Sequence, residues 1–150
     1  MRVVIQRVSK SGVSVGGELL ASTGRGLLVL AGFTADDTTE DLDWVAGKII
    51  RLRLFDDDNG VMNLPVTEVE GSILVVSQFT LHARTKKGNR PSYIEAAPAE
   101  VSESLYNQFV EITERLLPGR VGTGQFGAKM DVSLVNDGPV TIIIDSKRRE

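Results

Sequence analysis

The fold of this chain is decided by the stretch Ser72-Ile73-Leu74-Val75-Val76-Ser77-Gln78-Phe79-Thr80-Leu81. Its first half is an unbroken apolar run rich in β-branched residues, which is typical of a central strand buried on both faces. Two hydroxyls and a primary amide follow at the end of the predicted strand, and in open α/β sheets ligands bind beyond that end. Ser77, Gln78 and Thr80 are therefore either a binding site or the start of an ordinary polar loop.

Apolar runs and alternating patterns predict further strands on both sides of this stretch. The runs cover residues 2–9, 13–15, 18–20, 26–32, 132–135 and 140–144. Gly16-Gly17 lies between the second and third runs and is a two-residue hairpin signal. The run at 26–32 is continuous and apolar, so it is predicted to be a second central strand.

Two segments have the apolar spacing of amphipathic helices. The first covers about residues 37–52 and begins with Asp37-Thr38-Thr39-Glu40, which resembles a capping box. The second begins at Pro98, with acidic residues near its positive end, and stops before Pro118-Gly119. Its predicted buried stripe consists of Val101, Leu105, Phe109, Ile112 and Leu116.

This order of elements predicts an α/β fold, with mixed β-sheets in layers and two helices on one face. The leading hairpin and the closing strands are expected to form a second β layer. A chain of 150 residues fits one domain, residues 1–150, and no repeat or linker divides it.

The composition excludes several classes of function. The chain has no cysteine, which excludes disulfides and thiolate catalysis, and its single histidine, His82, excludes a multi-histidine metal site. No metal or cofactor is expected. A net charge of −3 argues against a protein that coats nucleic acid, although local basic clusters occur at residues 84–90 and 147–149. No apolar segment approaches the length of a signal peptide or a membrane span, so the cytoplasm is expected and a membrane partner is not.

Two motif matches are rejected because the neighbouring residues do not supply what each motif requires. Residues 122–127 match G-x-G-x-x-G, but the dinucleotide fingerprint needs a strand before it and a helix after it, and here a strand pattern follows. Residues 55–60 resemble a calcium loop, but Val66 stands where the last ligand, a glutamate, is required. An Asp-, Asn- and Gly-rich turn is the better interpretation of this segment.

Thr80 and His82 would share a strand face if the strand continued, which raises the question of a nucleophile and its base. Side chains at i and i+2 on a strand are roughly 6–7 Å apart, too far for the required hydrogen bond. His82 is therefore expected to be an exposed loop histidine. Residues 136–141 are typical of a simple hairpin turn, although a Gly138-Pro139 bond can also be cis and can hold carbonyl oxygens in a set direction.

Four segments together resemble the D-aminoacyl-tRNA deacylases of the bacterial and eukaryotic type. They are Ser77-Gln78-Phe79-Thr80-Leu81, Lys87-Gly88-Asn89-Arg90-Pro91-Ser92-Tyr93, Gly124-Gln125-Phe126-Gly127-Ala128-Lys129-Met130 and Asn136-Asp137-Gly138-Pro139-Val140-Thr141. The first eight residues and the length also fit, so the resemblance covers the whole chain. It implies a metal-free, homodimeric esterase with its active sites at the subunit interface. Such an enzyme hydrolyses the ester of D-aminoacyl-tRNA in chiral proofreading, and it also removes glycine mischarged on tRNA.

The resemblance also implies roles for individual residues. The catalytic motif maps onto Ser77, Gln78, Phe79 and Thr80, and Gly138-Pro139 maps onto a Gly-cisPro motif that reaches the partner's site and rejects L-amino acids. Substrate binding is further expected at Asn136, Met130 and Phe126, and tRNA phosphates are expected at Lys86, Lys87 and Arg90.

Two mechanisms remain open at this point: Thr80 is the nucleophile, or the 2′-OH of the tRNA assists while the protein positions the ester. The missing base favours the second mechanism, with the backbone N–H groups near Phe79 and Thr80 as oxyanion donors. The alternative functions are an RNA-independent D-amino-acid esterase, a non-catalytic module that binds tRNA or DNA, and a structural dimerisation domain.

Overall fold

The structure, a computed structural model, describes residues 1–150. It contains eight strands: β1 (Arg2–Val15), β2 (Glu18–Thr23), β3 (Gly26–Gly32), β4 (Phe55–Asp56), β5 (Met62–Leu64), β6 (Ser72–Ser77), β7 (Val121–Thr123) and β8 (Asp131–Asp145). It also contains two helices, α1 (Thr39–Arg51) and α2 (Ala99–Leu116). A 3-10 turn, Phe79–His82, follows β6 directly.

Six of the strands form one mixed sheet in the order β2-β1-β3-β6-β7, and β8 pairs with the other edge of β1. The pairs β3–β6 and β6–β7 are parallel, whereas β1 is antiparallel to all its partners. β6 is thus an interior strand, as its apolar run predicts. Because β3, β6 and β7 run in the same direction, their carboxyl ends meet at one edge of the sheet.

Both faces of the central strands are buried. On one face, Leu27 and Val29 of β3 and Ile73 and Val75 of β6 pack with residues of α1 and α2 in a core of 23 buried residues. On the other face, Leu28, Leu74 and Val76 form a smaller apolar cluster with residues of β1. The α/β class and the position of both helices on one face are therefore confirmed.

The second β layer differs in connectivity from the expected one. β1 pairs with β3 through residues 2–8 and with β2 through residues 11–15, while β8 follows its opposite edge. Register shifts in both the β1–β2 and β1–β8 pairings bend the sheet, because a bulge increases local twist. One sheet therefore curls towards a barrel, and Ala21 of β2 and Val132 of β8 reach the smaller apolar cluster from the far side.

The capping box of α1 begins one residue later than predicted. Thr38 is the N-cap, its hydroxyl accepts from the amide of Asp41, and the Asp41 carboxylate accepts from the amide of Thr38. Asp37 is unavailable for capping because its carboxylate accepts from the amide of Thr34 and pairs with the buried amino group of Met1.

The buried face of α2 is wider than the predicted stripe and is rotated from it. Leu105, Phe109 and Ile112 are buried as expected, but Val101 and Leu116 are exposed. Val101 lies roughly 80° around the helix from the middle of the buried face, and Leu116 is the last helical residue, after which Leu117 is buried instead. Three residues with hydroxyl groups complete this face: Ser102, Tyr106 and Thr113.

The acidic segment after β4 is a hairpin turn, which confirms the interpretation as a turn. The carboxylate of Asp57 accepts from the amides of Asn59 and Val61, and β4 pairs with β5 on either side of it. A carboxylate that closes its own turn in this way is a common reason for Asp in hairpin connections.

Candidate active site

The candidate site lies at the carboxyl end of β6, where the 3-10 turn leaves the sheet. The amide of Gln78 donates to the carbonyl of Ala31 at 2.7 Å, which extends the parallel ladder one residue beyond the strand. The guanidinium of Arg2 donates to the carbonyl of Leu81 at 2.7 Å and also pairs with Asp145. The turn is thus tied to β3 on one side and, through Arg2, to β1 and β8.

A cavity of about 590 Å³ opens beside this turn. It is lined by Val76, Ser77, Gln78, Phe79, Tyr93, Ala96, Ala97, Ala99, Ser102, Phe126, Gly127, Ala128, Met130 and Val132. None of the lining residues is an aspartate, glutamate, histidine, lysine or arginine. The structure therefore brings together Ser77, Gln78, Phe79, Phe126 and Met130 from the sequence-predicted site around a largely apolar space.

Three chain segments form the walls of the cavity: the end of β6, residues 93–102 at the start of α2, and residues 124–130 between β7 and β8. The third segment, here called the 124–130 wall, contains no helix, so the structure does not provide the context that a dinucleotide fingerprint needs. A Cβ on Gly124 would lie 2.6 Å from the sulfur of Met130. Glycine at this position lets Met130 fold back over the wall.

Aromatic rings mark the mouth and the back of the cavity. Phe79 and Tyr93 make an edge-to-face pair with centroids 5.0 Å apart, and the Phe79 side chain is 52% exposed. Phe126 packs against Tyr106 of α2 with centroids 5.8 Å apart. Sequence reasoning did not single out Tyr93 or Tyr106 as site residues, because Tyr93 is positioned by the Arg84–Ser92 bridge and Tyr106 by the packing of α2 on the sheet.

Thr80 lies beside the cavity without lining it. Its hydroxyl accepts a hydrogen bond from the side-chain amide of Gln78 at 2.5 Å, so the two residues support each other's conformation. No acidic or basic group lines the cavity and could take a proton from this hydroxyl. The arrangement lacks the nucleophile and base pair that a serine-hydrolase mechanism requires.

The expectation of an exposed His82 is wrong. The strand does not continue to residue 82, and the 3-10 turn places the imidazole in the protein, where it is 7% exposed. The ring packs at Gly32, where an added Cβ would lie 3.2 Å from Cδ2, and its Nε2 has no hydrogen-bond partner. His82 is therefore part of the packing beneath the turn.

The Gly138-Pro139 peptide bond is cis, and the segment is not the simple turn that local sequence favoured. Gly138 has φ 137°, and both residues are exposed within the long strand β8. The Asn136 side-chain oxygen accepts from the amide of Val140 at 3.0 Å, which closes the turn. Neither Asn136 nor the Gly138-Pro139 pair lines the cavity of its own chain.

Arg7 supports this turn and was missed at the sequence level. Its guanidinium is nearly buried and donates to the carbonyl of Asp137 at 3.0 Å and to the carbonyl of Leu54 at 2.7 Å. It also pairs with the carboxylates of Asp56 and Asp137. Its burial could have been predicted from the alternation of inward and outward side chains along β1, because Arg7 falls on the same inward face as Val3 and Ile5.

Three predicted RNA-binding cations, Lys86, Lys87 and Arg90, lie on an exposed loop after the 3-10 turn. An isolated bridge between Arg84 and Ser92 closes the base of this loop, and none of the three cations forms an ion pair. The residue after the bridge is Tyr93, so the loop adjoins the mouth of the cavity.

No three His, Asp or Glu side chains converge on a point where they could share a metal ion. None of the helices has the length and apolar character needed to cross a membrane.

The fold and the site define a class of α/β proteins with a mixed, curled sheet, two helices on one face and an uncharged cavity at the carboxyl edge. Within this class, the chain belongs to the D-Tyr-tRNA(Tyr) deacylase family, whose family model matches residues 4–145. D-aminoacyl-tRNA deacylases of Flavobacterium johnsoniae and Akkermansia muciniphila are 56% and 57% identical to it over the full length of both chains.

Two solved structures share the fold of this chain. A protein described as "c-Myc DNA Unwinding Element Binding Protein" superposes with a TM-score of 0.92 at 41% identity, over 97% of this chain and 98% of the other. A probable eukaryotic D-amino acid tRNA deacylase has a TM-score of 0.83 at 21% identity over 95% and 97% of the two chains, which shows the shared fold.

Proposed function

We propose that this protein hydrolyses the ester bond of D-aminoacyl-tRNA, and of glycine mischarged on tRNA, and releases the free amino acid and the tRNA. Family membership supports the reaction. The observation that carries the proposal is the uncharged cavity at the end of β6, whose polar rim is formed by Ser77 and Gln78. An aminoacyl ester is already activated, so a site that positions it needs no strong nucleophile of its own.

The cavity suits the 3′-terminal adenosine of tRNA with its attached amino acid. Its volume is within the usual range for small-molecule sites. The apolar walls and the rings of Phe79, Tyr93 and Phe126 favour a flat base, because base stacking on aromatic groups is a main source of affinity for single-stranded nucleic acid. The ester would then lie at the polar rim.

In the mechanism that we favour, water attacks the carbonyl carbon, the bond from that carbon to O3′ breaks, and a proton ends on O3′ as the amino acid leaves. The neighbouring 2′-OH of the ribose assists the proton transfer, since the cavity offers no side chain for this task. The first N–H groups of a helical turn lack a partner within the turn. The amides of Phe79 and Thr80 are in this position and are proposed to stabilise the oxyanion.

Chiral selection is proposed to come from a second copy of the chain. Gly138 and Pro139 are exposed and do not line the cavity of their own chain, so they are free to enter another site. β8 pairs with only one neighbour, and the exposed apolar residues Val135 and Ile143 flank the turn along it. A homodimer through this strand would complete each active site with backbone carbonyls, which read the configuration at Cα and tolerate many side chains.

Lys86, Lys87 and Arg90 are proposed to hold phosphates of the tRNA near its 3′ end, since their charges are uncompensated and their loop adjoins the cavity. Such a function places the protein with tRNA in the cytoplasm. A small cationic patch on a chain of net charge −3 suits weak, transient contact with RNA.

The direct test is deacylation of matched D-tyrosyl-, L-tyrosyl- and glycyl-tRNA, with D-tyrosine methyl ester as a substrate without RNA. We expect hydrolysis of the D-tyrosyl- and glycyl-tRNA only. Equal efficiency on the methyl ester would establish an RNA-independent esterase. Binding of tRNA or DNA without hydrolysis would establish a non-catalytic module.

Gly138→Ala tests the proposed chiral selection. A Cβ at this position would lie 2.8 Å from the amide nitrogen of Val140, and φ 137° is unfavourable for alanine, so the turn must change shape. We expect the D-to-L rate ratio to fall. Gly119→Ala is the matched control, because Gly119 also has positive φ but meets nothing within 4 Å. An unchanged ratio in a folded, dimeric Gly138→Ala protein would contradict the proposal.

A further inference from the structure

We propose that Tyr106 is a positioning residue for this site: its hydroxyl bonds α2 to β6 beneath the cavity, and its ring thereby holds the 124–130 wall in place and sets the width of the cavity. The role of the cavity in substrate binding rests on the proposed function. The contacts that position Tyr106 do not depend on that function.

The contact is a shared acceptor beneath the cavity. The Tyr106 hydroxyl is buried on α2 and donates to the carbonyl of Val75 at 3.0 Å. The same carbonyl accepts from the amide of Gly124, the first residue of the wall, at 3.3 Å. Val75 lies two residues before Ser77, so one oxygen joins α2, the end of β6 and the wall.

The hydroxyl is a permanent donor in this position. Burial raises the pKa of Tyr106 to about 12, and the amide of Gly124 opposes this rise only in part. The phenol therefore keeps its proton throughout the neutral range, and the bond to Val75 does not change with working pH.

Tyr106 also supports the wall through its ring. The ring packs against Phe126, which lines the cavity, and Met130 folds over Gly124 on the same wall. Without the hydroxyl, the Val75 carbonyl would keep only the 3.3 Å bond, which lies beyond the usual N–H···O range. The Tyr106 ring would also lose its bond to β6, so the ring, and the wall that packs on it through Phe126, could shift while the fold remained intact.

The expected kinetic effect is confined to substrate binding. The wall contributes Phe126 and Met130 to the apolar lining, whereas the polar rim belongs to Ser77 and Gln78 of the β6 end, so displacement of the wall should loosen contacts to the nucleoside more than contacts to the ester. We expect Tyr106→Phe to raise KM for D-tyrosyl-tRNA about fivefold, the effect of one net hydrogen bond. We expect kcat to change by less than about twofold, as for the loss of uniform binding.

Thr113→Val is the matched control. Thr113 lies on the same helix, is buried, and donates its hydroxyl to the carbonyl of Phe109 at 2.7 Å, but this bond stays within α2, whereas that of Tyr106 reaches β6. Both variants should lose similar stability, and only Tyr106→Phe should raise KM. An unchanged KM in Tyr106→Phe, or an equal rise in both variants, would overturn the proposal.

Hydrogen exchange provides a second readout that does not need activity. The amides of residues 124–130 should exchange faster in Tyr106→Phe than in Thr113→Val, and equal rates would overturn the positioning role. If the wild type fails to hydrolyse D-tyrosyl-tRNA, the proposed function fails, while faster exchange would still support the positioning role. If Tyr106→Phe does not fold, Gly124→Ala disturbs the same wall through Met130 and should raise KM in its place.

Discussion

Replacement of Gly32 by alanine should impair catalysis as well as stability. Gly32 ends β3 beside the 3-10 turn, and a Cβ there would lie 2.6 Å from the carbonyl oxygen of Gln78. It would also lie 3.2 Å from atoms of Leu81 and His82. Ordinary contact begins near 3.4 Å, so the Gln78 carbonyl must retreat by about 0.8 Å.

This displacement acts directly on the proposed oxyanion site. The carbonyl of Gln78 belongs to the same peptide unit as the amide of Phe79, so both must move together. A misplacement of about 1 Å at a catalytic group can cost about 10²-fold in rate. We expect kcat to fall by about 10- to 100-fold, with an overpacking cost of about 1–3 kcal/mol in stability.

The assay is single-turnover deacylation of D-tyrosyl-tRNA at saturating enzyme, with thermal unfolding measured on the same samples. Gly24→Ala is the matched control, because a Cβ at Gly24 meets nothing within 4 Å and its φ is not positive. It should retain the wild-type rate. A Gly32→Ala protein that folds and deacylates at the wild-type rate would refute the reasoning, since the backbone beside Gln78 would then have no part in catalysis.

Three further predictions concern the hydroxyl, the basic loop and the acid range. Thr80→Ala should keep deacylation within about tenfold of wild type, because no base activates the hydroxyl; a folded, tRNA-binding and inactive variant would return it to a catalytic role. Alanine at both Lys86 and Lys87 should weaken tRNA binding and reduce the salt slope by about 1.4 to 1.8, and an unchanged slope would place the RNA elsewhere. Burial opposes ionisation of Asp41, but a hydrogen bond from Lys147 and those of the capping box hold its pKa below the ordinary value. The stabilisation that the Asp41 carboxylate provides is therefore complete above the pKa that this group has in the unfolded chain, and it declines as the pH falls towards the lower pKa of the folded state. The stability of Asp41→Asn against urea should therefore approach that of wild type below about pH 4.

Part of the candidate site could be read from local sequence. Ser77 and Gln78 were predicted because an apolar strand that turns polar marks its own end. Phe126 and Met130 were expected from a family resemblance, and they line the cavity. Tyr106 gave no local signal, because an aromatic residue at helical spacing belongs to a core stripe unless the partner of its hydroxyl is known.

The errors share one physical cause. His82 was expected in an exposed loop because no partner for it could be found along a continued strand, whereas the 3-10 turn places its ring against Gly32. Arg7 was overlooked because its partners at Leu54 and Asp137 lie far along the chain. Burial of a polar side chain depends on the distant groups that pack around it or bond to it, and a local pattern contains no information about them.

The sequence by itself determined the strands β3 and β6, the two helices and the hairpin at Gly16-Gly17, because apolar runs, helical spacing and turn residues are properties of neighbouring positions. Only the tertiary structure decided that β1 would pair with three strands and that the end of β6, the start of α2 and the 124–130 wall would enclose one cavity. It also decided that the Gly138-Pro139 turn would lie outside the cavity of its own chain. These relations join residues far apart in sequence, and they arise when the bulged sheet curls and the helices cover its remaining face.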